Sequence, residues 1–184
     1  MQPHMRWTAR RAANREDEIQ ASEIAHTLRR AMIKYADYRE ALRDGYEPFL
    51  PQVAQPRYHF TNRWHGFKGA FRFDPTKPTS LLYKKTPAGY ELLGAMYTAP
   101  KRMSEDKLNE RVPLSIAQWH AHVNICLPPK RKTGTADWTR FGLKGSIATE
   151  EACHAAGGRW YPQVFGWMLH VYPFEETPEK IWSH

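Results

Sequence analysis

The apolar positions of residues 15–43 recur at steps of three and four, which is the spacing of one face of an α-helix. These positions are Ile24, Leu28, Ala31, Met32, Tyr35, Ala36 and Leu42. Acidic residues at positions 16–18 suit the start of such a helix, and Gly45 suits its end. The pattern predicts an amphipathic N-terminal helix that packs one face against the rest of the chain.

From residue 46 onwards the chain changes to short segments rich in aromatic and branched residues, which are typical of strands. We predict strands over residues 57–62, 66–73, 80–85, 90–98, 116–126 and 164–172. Pro87 and Gly89 mark a turn between the third and fourth of these segments, which predicts a hairpin. Short helices are expected over residues 104–110 and 149–156, and residues 128–145 form a polar, basic loop.

These elements predict one α+β domain over residues 1–184, with the N-terminal helix packed on a mainly antiparallel β-sheet or sandwich. The β-rich core spans residues 57–172. A chain of 184 residues, 41% hydrophobic and 13% aromatic, can bury such a core. Its apolar runs fall far short of the roughly 20 residues that a membrane helix needs, so we expect no membrane span.

The net charge of +8 favours anionic ligands, and the excess of basic residues lies within residues 51–150. The compact basic cluster at residues 130–132 is too short to make nucleic acid the leading partner. Residues 64–73 are aromatic and are interleaved with Arg63, Lys68 and Arg72. This segment supports an alternative function, a basic binding module for an anionic polymer whose bases stack on the aromatic rings.

Two histidines separated by one residue provide the clearest chemical signal. On a strand, alternate side chains share a face, so His120 and His122 point the same way and their rings can share a metal ion. A third ligand must come from elsewhere. His170 in an apolar strand is the best candidate, and His59 in an aromatic strand is a possible fourth, because burying an unpaired imidazole costs free energy. The other histidines carry less weight: His4, His26, His65, His154 and His184.

The spacing of these residues resembles the metal site of cupin-type β-barrels, which place histidines at two alternate positions of one strand and a further histidine on a later strand. Here those positions are His120, His122 and His170. The resemblance implies a cupin-like barrel around a metal ion. The glutamate that normally follows the second histidine is missing from residues 123–127.

An imidazole-rich site without thiolates favours zinc, copper or iron over magnesium or calcium. Three histidines leave an open coordination position for water or a small-molecule substrate, whereas four suggest storage, transport or structure. Glu91, on the predicted strand 90–98, is the candidate general base, with an exposed strand residue as the alternative. The sequence therefore predicts a metal-binding protein, and leaves open whether it is a metal-dependent enzyme or a metal carrier.

Cys126 and Cys153 lie 27 residues apart and match no zinc-binding spacing. They are either a disulfide in an exported protein or two thiols in a cytosolic one. The first seven residues lack the features of a signal peptide. The chain as a whole is similar to bacterial proteins that are often exported, which favours a periplasmic or exported location if a signal peptide has been removed, and a cytoplasmic one otherwise.

Overall fold

A seven-stranded antiparallel sheet organises residues 3–52 and 54–184, which are the residues described by the computed structural model. The strands are β1 (Met5–Trp7), β2 (Glu47–Pro48), β3 (Tyr58–Thr61), β4 (Ser80–Thr86), β5 (Gly89–Ala99), β6 (His120–Leu127) and β7 (Arg159–Val171). They lie in the order β1, β6, β7, β5, β4, β3, β2 across the sheet. Together with the helices below, they confirm the predicted α+β class.

The helices are α1 (Arg15–Met32), α2 (Tyr38–Arg43), α3 (Arg63–Phe71), α4 (Glu105–Arg111), α5 (Glu150–Ala155) and α6 (Pro178–Ile181). Two short 3₁₀ helices cover Ile33–Ala36 and Lys130–Thr135. No helix of the described residues combines the length and the apolar character that a membrane crossing requires.

Helix α1 covers one face of the sheet. The side chain of Asn14 accepts a hydrogen bond from the backbone N–H of Asp17 and so caps the first turn. Leu28 is fully buried in the main core with Tyr83 of β4 and Trp119, which directly precedes β6. The single helix predicted over residues 15–43 is wrong in its second half, because a 3₁₀ turn follows α1 and a separate helix begins after a new cap at Asp37.

The segment predicted as a strand over residues 66–73 is helix α3, so that prediction is wrong. The side chain of Asn62 accepts a hydrogen bond from the backbone N–H of His65, which caps a helix at this point. Trp64, Phe67 and Phe71 are spaced by three and four residues, which is a helical spacing. Aromatic content had favoured a strand, but the cap and the spacing favour a helix.

The predicted hairpin is confirmed, since β4 pairs antiparallel with β5 from the turn at Thr86 and Gly89 up to Ser80 and Met96. The other predicted strands are present with shifted ends. Strand β6 begins only at His120, and β7 begins at Arg159, well before the predicted start at residue 164. Strand β5 pairs with β7 only over the last part of β7, which leaves Pro162 on a section bonded to β6 alone, where a missing N–H is tolerated.

The sheet is open at both sides. Strands β1 and β2 are its edges, and no ladder joins them among the described residues. Residues 3–52 and 54–184 therefore form one sheet with helices, and do not show the cupin-like barrel that the histidine spacing suggested.

Cys126 and Cys153 form a disulfide, so the structure shows the bridged state that the sequence left open. The bridge joins β6 to α5, and both residues are fully buried with Phe141 and Ile147. It therefore ties the long loop after β6 to the sheet that carries the histidines.

Candidate metal centre

The face of the sheet opposite α1 carries histidines on three strands. Trp119 and Ala121 belong to the core under α1, so the alternating His120 points to the other side. Leu169 and Val171 likewise belong to that core and flank His170. The same alternation that builds the core thus places these imidazoles together on the opposite face.

The strand pairing sets the distances between these rings. His120 on β6 lies opposite Met168 on β7, and His170 is two residues further along β7. The ring centroids of His120 and His170 lie 5.1 Å apart. The two strands that the sequence singled out therefore bring their histidines into one cluster.

The third member of this cluster is His184, to which the sequence analysis gave little weight. After β7 the chain turns back: Thr177 caps the short helix α6, and the backbone N–H of Tyr172 donates to the carbonyl of Ile181 at 2.8 Å. This return places the ring of His184 4.3 Å from that of His120 and 5.1 Å from that of His170. The Thr177-Pro178 pair, a capping residue followed by a proline suited to the first helical turn, was the available sequence signal for a structured return.

His120, His170 and His184 form a group that is close enough to hold a metal ion. One ring nitrogen of each lies within 4.8 Å of those of the other two. Imidazole nitrogens bind zinc at about 2.0–2.1 Å, so ligands around one ion lie roughly 3–3.5 Å apart. The three nitrogens would have to move closer together than they lie here to share one ion.

The cluster holds buried imidazole nitrogens that lack protein partners. The Nδ1 atoms of His120, His122 and His170 are buried and have no hydrogen-bond partner within the described part of the chain. A buried polar atom without a partner is costly, and such atoms in a native fold call for an explanation such as a bound ion. The side chain of His120 is only 1% exposed.

Burial also keeps these rings neutral. Loss of water, with a smaller contribution from neighbouring histidines, lowers the pKa of His120 to about 2 and that of His170 to about 3. The pKa of His59 falls to about 4, again mainly through burial. Only a neutral imidazole has a lone pair for a metal ion, and burial favours this neutral form in His120, His170 and the neighbouring His59.

His122 and His59 flank the group without belonging to it. The ring of His122 lies 5.7 Å from that of His120, and the ring of His59 lies 5.8 Å from that of His170. Both line an apolar groove of about 280 Å³, with Phe49, Leu143 and Phe165. The four predicted histidines thus lie on one face of the sheet. The histidine that lies closest to both His120 and His170, however, is His184.

Glu91, the predicted general base, does not lie near the cluster. It is exposed and pairs with Lys84 close to the hairpin turn, five residues from Met96, the cross-strand neighbour of His170. At about 3.3 Å per residue this separation is roughly 16 Å. Another carboxylate, Glu179 of α6, lines the cavity onto which the cluster opens.

That cavity has a volume of about 580 Å³ and is lined by the three clustered histidines, with Trp7, Arg10 and Glu179 among the other residues. The ring of Trp7 lies 5.2 Å from His120 and 4.8 Å from His184. A cavity of this size accommodates a small molecule. The cluster is therefore accessible, although His120 itself is buried.

Two methionines accompany the histidines. Met168 lies directly across from His120 and Met96 directly across from His170, and the two methionines pack together in a small core. Directly opposed residues on one face have Cβ atoms about 4.5–5.5 Å apart. The cross-strand neighbours of His120 and His170 are therefore both thioether residues.

Three of the remaining histidines have ordinary structural explanations. Each ring nitrogen of His4 lies within hydrogen-bond distance of a backbone carbonyl, and His65 shares a hydrogen bond with the Tyr46 hydroxyl at 3.0 Å. His26 is exposed on α1.

No protein-family model, no curated protein sequence and no solved structure matches this chain. The function must therefore be argued from the site itself.

Proposed function

We propose that this protein binds a transition metal ion through His120, His170 and His184. The observation that carries the proposal is the convergence of three imidazoles, one ring nitrogen of each within 4.8 Å of the others, of which two have a buried Nδ1 without a partner in the described residues. A bound ion would satisfy these atoms and offset the free energy of burying them. His59 and His122 lie close enough to serve as neighbours of the ion or as positioning residues.

Copper fits the surroundings best among zinc, copper and iron. All three metals accept imidazole, but the soft thioether of methionine favours Cu(I). Met96 and Met168 are the cross-strand neighbours of His170 and His120. Competition with a chromophoric Cu(I) chelator tests this choice: Met168→Leu should weaken Cu(I) binding and leave Zn(II) binding unchanged. An equal effect on both metals, or no effect on Cu(I), would exclude a thioether contribution from this residue.

We further propose that the ion is reactive and not merely structural. Three histidines leave at least one coordination position open, and the cluster faces a cavity large enough for a small molecule. Glu179 and Arg10 in the same cavity supply a carboxylate for proton transfer and a cation for an anionic substrate group. Addition of azide to the Cu(II)-loaded protein tests this: a change in the visible spectrum shows an open position, and an unchanged spectrum favours metal carriage or storage.

The disulfide supports a location in an oxidising compartment, since such bonds are rare in the cytosol. Alkylation of free thiols in intact cells, followed by mass spectrometry, tests this. A bridged Cys126–Cys153 pair protected from alkylation supports an exported protein, and alkylation of both thiols contradicts it.

The decisive experiment is elemental analysis of protein purified without an affinity tag and without chelator. Wild type should contain about one transition metal ion per chain, whereas His120→Ala and His170→Ala should contain almost none. His26→Ala, an exposed histidine on α1, is the matched control and should keep its metal. If wild-type protein holds no metal and takes up none from added zinc, copper or Fe(II), the proposal is wrong.

A further inference from the structure

Helix α3 presents an unusual outer face. Its exposed residues are three aromatic and three basic side chains, counting Arg72 at the helix end, and the helix contains no acidic residue. We call this set the aromatic–basic face; its members are Arg63, Trp64, Phe67, Lys68, Phe71 and Arg72. The aromatic members are 59%, 56% and 78% exposed, in chain order. Large apolar side chains clustered on a surface mark an interaction site.

The opposite face of α3 explains why these rings point outward. That face holds Gly66, Gly69 and Ala70, which let the helix approach the sheet closely: a Cβ on Gly66 would lie 3.1 Å from the Thr79 side chain. Arg111 donates hydrogen bonds to the carbonyls of Gly69 and Ala70 and holds the helix end in place. The anchoring contacts thus come from small residues, and the aromatic rings are left on a rigid outer face.

We propose that the aromatic–basic face docks on an anionic lipid bilayer as a peripheral contact. Aromatic rings partition into the boundary between headgroups and acyl chains, while arginine and lysine pair with anionic headgroups. Three cations and no acidic residue on α3 give this face the charge complementary to such a surface, and the net charge of +8 adds long-range attraction.

The arrangement of the rings favours a bilayer over a nucleic acid. Trp64 and Phe67 are stacked on each other with centroids 5.4 Å apart, and the Lys68 ammonium lies 4.9 Å from the Trp64 ring centroid. Base stacking needs free ring faces. Trp64 and Phe67 instead form one continuous apolar unit with Phe71, whose ring lies 5.3 Å from that of Phe67.

The charge also disfavours a second copy of this chain as the occupant. In a two-fold contact the same patch meets itself, so the three cations of one copy would face the three of the other. Such like-charge opposition costs free energy in a contact without acidic groups. The surface is therefore suited to an anionic partner.

Co-sedimentation with vesicles tests the proposal. Wild type should bind vesicles of equal parts phosphatidylglycerol and phosphatidylcholine, and should not bind phosphatidylcholine alone. Joint replacement of Trp64, Phe67 and Phe71 by alanine should weaken binding by about tenfold or more. Lys68→Gln should weaken it by about fivefold, the value of one cation at an anionic surface.

Matched controls separate this face from general charge attraction. Lys130→Gln removes one cation from the exposed 3₁₀ helix after β6, and Trp138→Ala removes an aromatic ring that is 51% exposed elsewhere. Both variants should bind like wild type. If vesicle binding by Lys130→Gln is weakened as much as that by Lys68→Gln, the proposal is overturned. It is also overturned if wild type binds single-stranded oligonucleotides and not vesicles. Unchanged thermal melts would show that the exposed substitutions leave the fold intact.

Discussion

His4 and His120 are both buried histidines, one next to β1 and the other on the adjacent strand β6. Their ring nitrogens nevertheless differ in their hydrogen-bond partners. The nitrogens of His4 lie 2.9 Å from the carbonyl oxygen of Asn124 and 2.6 Å from that of Gly145. The Nδ1 atom of His120 is equally inaccessible and has no partner in the described ranges. The first ring ties the N-terminal segment to the sheet and the basic loop. The second has a buried Nδ1 without such a partner and a ring that lies beside those of His170 and His184, so the contrast distinguishes a structural histidine from a candidate ligand.

The largest expected effect is stabilisation by metal. An ion at a thousand times its dissociation constant should add about 4 kcal/mol to the free energy of unfolding, which raises Tm by roughly 8–16 °C in a chain of this size. His4→Ala should retain this shift, because its ring contacts only carbonyls, whereas His120→Ala should lose it. Differential scanning calorimetry with and without metal measures both. Equal shifts in the two variants would remove the distinction between the two histidines.

A smaller effect concerns the metal-free protein. His4→Ala removes the ring N–H that donates to a buried carbonyl and should lower the free energy of unfolding by about 1–3 kcal/mol. His120→Ala breaks no hydrogen bond of Nδ1, so it should cost less at pH 7. Urea unfolding of chelator-treated protein measures the difference. A greater loss in His120→Ala would mean that His120 is primarily a packing residue.

Acidification should destabilise wild type more than His120→Ala. The folded-state pKa of His120, about 2, lies below the unfolded value of about 6.5, so the unfolded chain binds the proton more readily. The contribution of the neutral His120 ring to the free energy of unfolding is fully present above about pH 6.5. This contribution is lost as the pH falls from there towards 2. At pH 5 the burial of this one ring has lowered the free energy of unfolding of wild type by about 2 kcal/mol.

Urea unfolding of the metal-free proteins at pH 7 and pH 5 measures this change. His120→Ala lacks the titrating ring and should lose about 2 kcal/mol less than wild type between the two pH values. An exposed control, His26→Ala, should follow wild type. The same pH dependence in all three proteins would show that His120 is not buried as the structure describes.

The contrast between the two histidines also shows how far the sequence leads. Strand alternation placed His120 and His122 on one face, because side-chain direction on a strand depends only on local backbone geometry, and the apolar residues around His170 identified it as the next candidate. Strand alternation could not identify His184, whose position depends on a backbone hydrogen bond between Tyr172 and Ile181. Nor could it show that His4 is satisfied, since its partners Asn124 and Gly145 are more than a hundred residues away.

The same distinction between local and long-range interactions explains which parts of the fold could be predicted from the sequence. The periodicity of α1 and the turn at Pro87 and Gly89 are local signals; the turn was interpreted correctly, and the helix was correct as far as Met32. Helix α3 was not, because its apolar residues lie on the exposed side and its buried side consists of glycine and alanine. A prediction that assigns aromatic rings to the core is wrong where the rings lie on the surface, as they do in α3.

The smallest expected effect concerns His122, whose sequence spacing made it a primary ligand. Its ring lies 5.7 Å from that of His120, and it stands outside the group of three whose nitrogens converge. We therefore expect His122→Ala to weaken metal binding by less than about tenfold, or about 1.4 kcal/mol, against near-complete loss for His170→Ala. Isothermal titration calorimetry of both variants measures this, with His59→Ala as the counterpart on the other side of the cluster. A hundredfold loss of metal affinity in His122→Ala alone would instead make His122 a direct ligand. The pair of ligands would then be His120 and His122, as predicted from the strand, with the exposed His184 as an additional ligand.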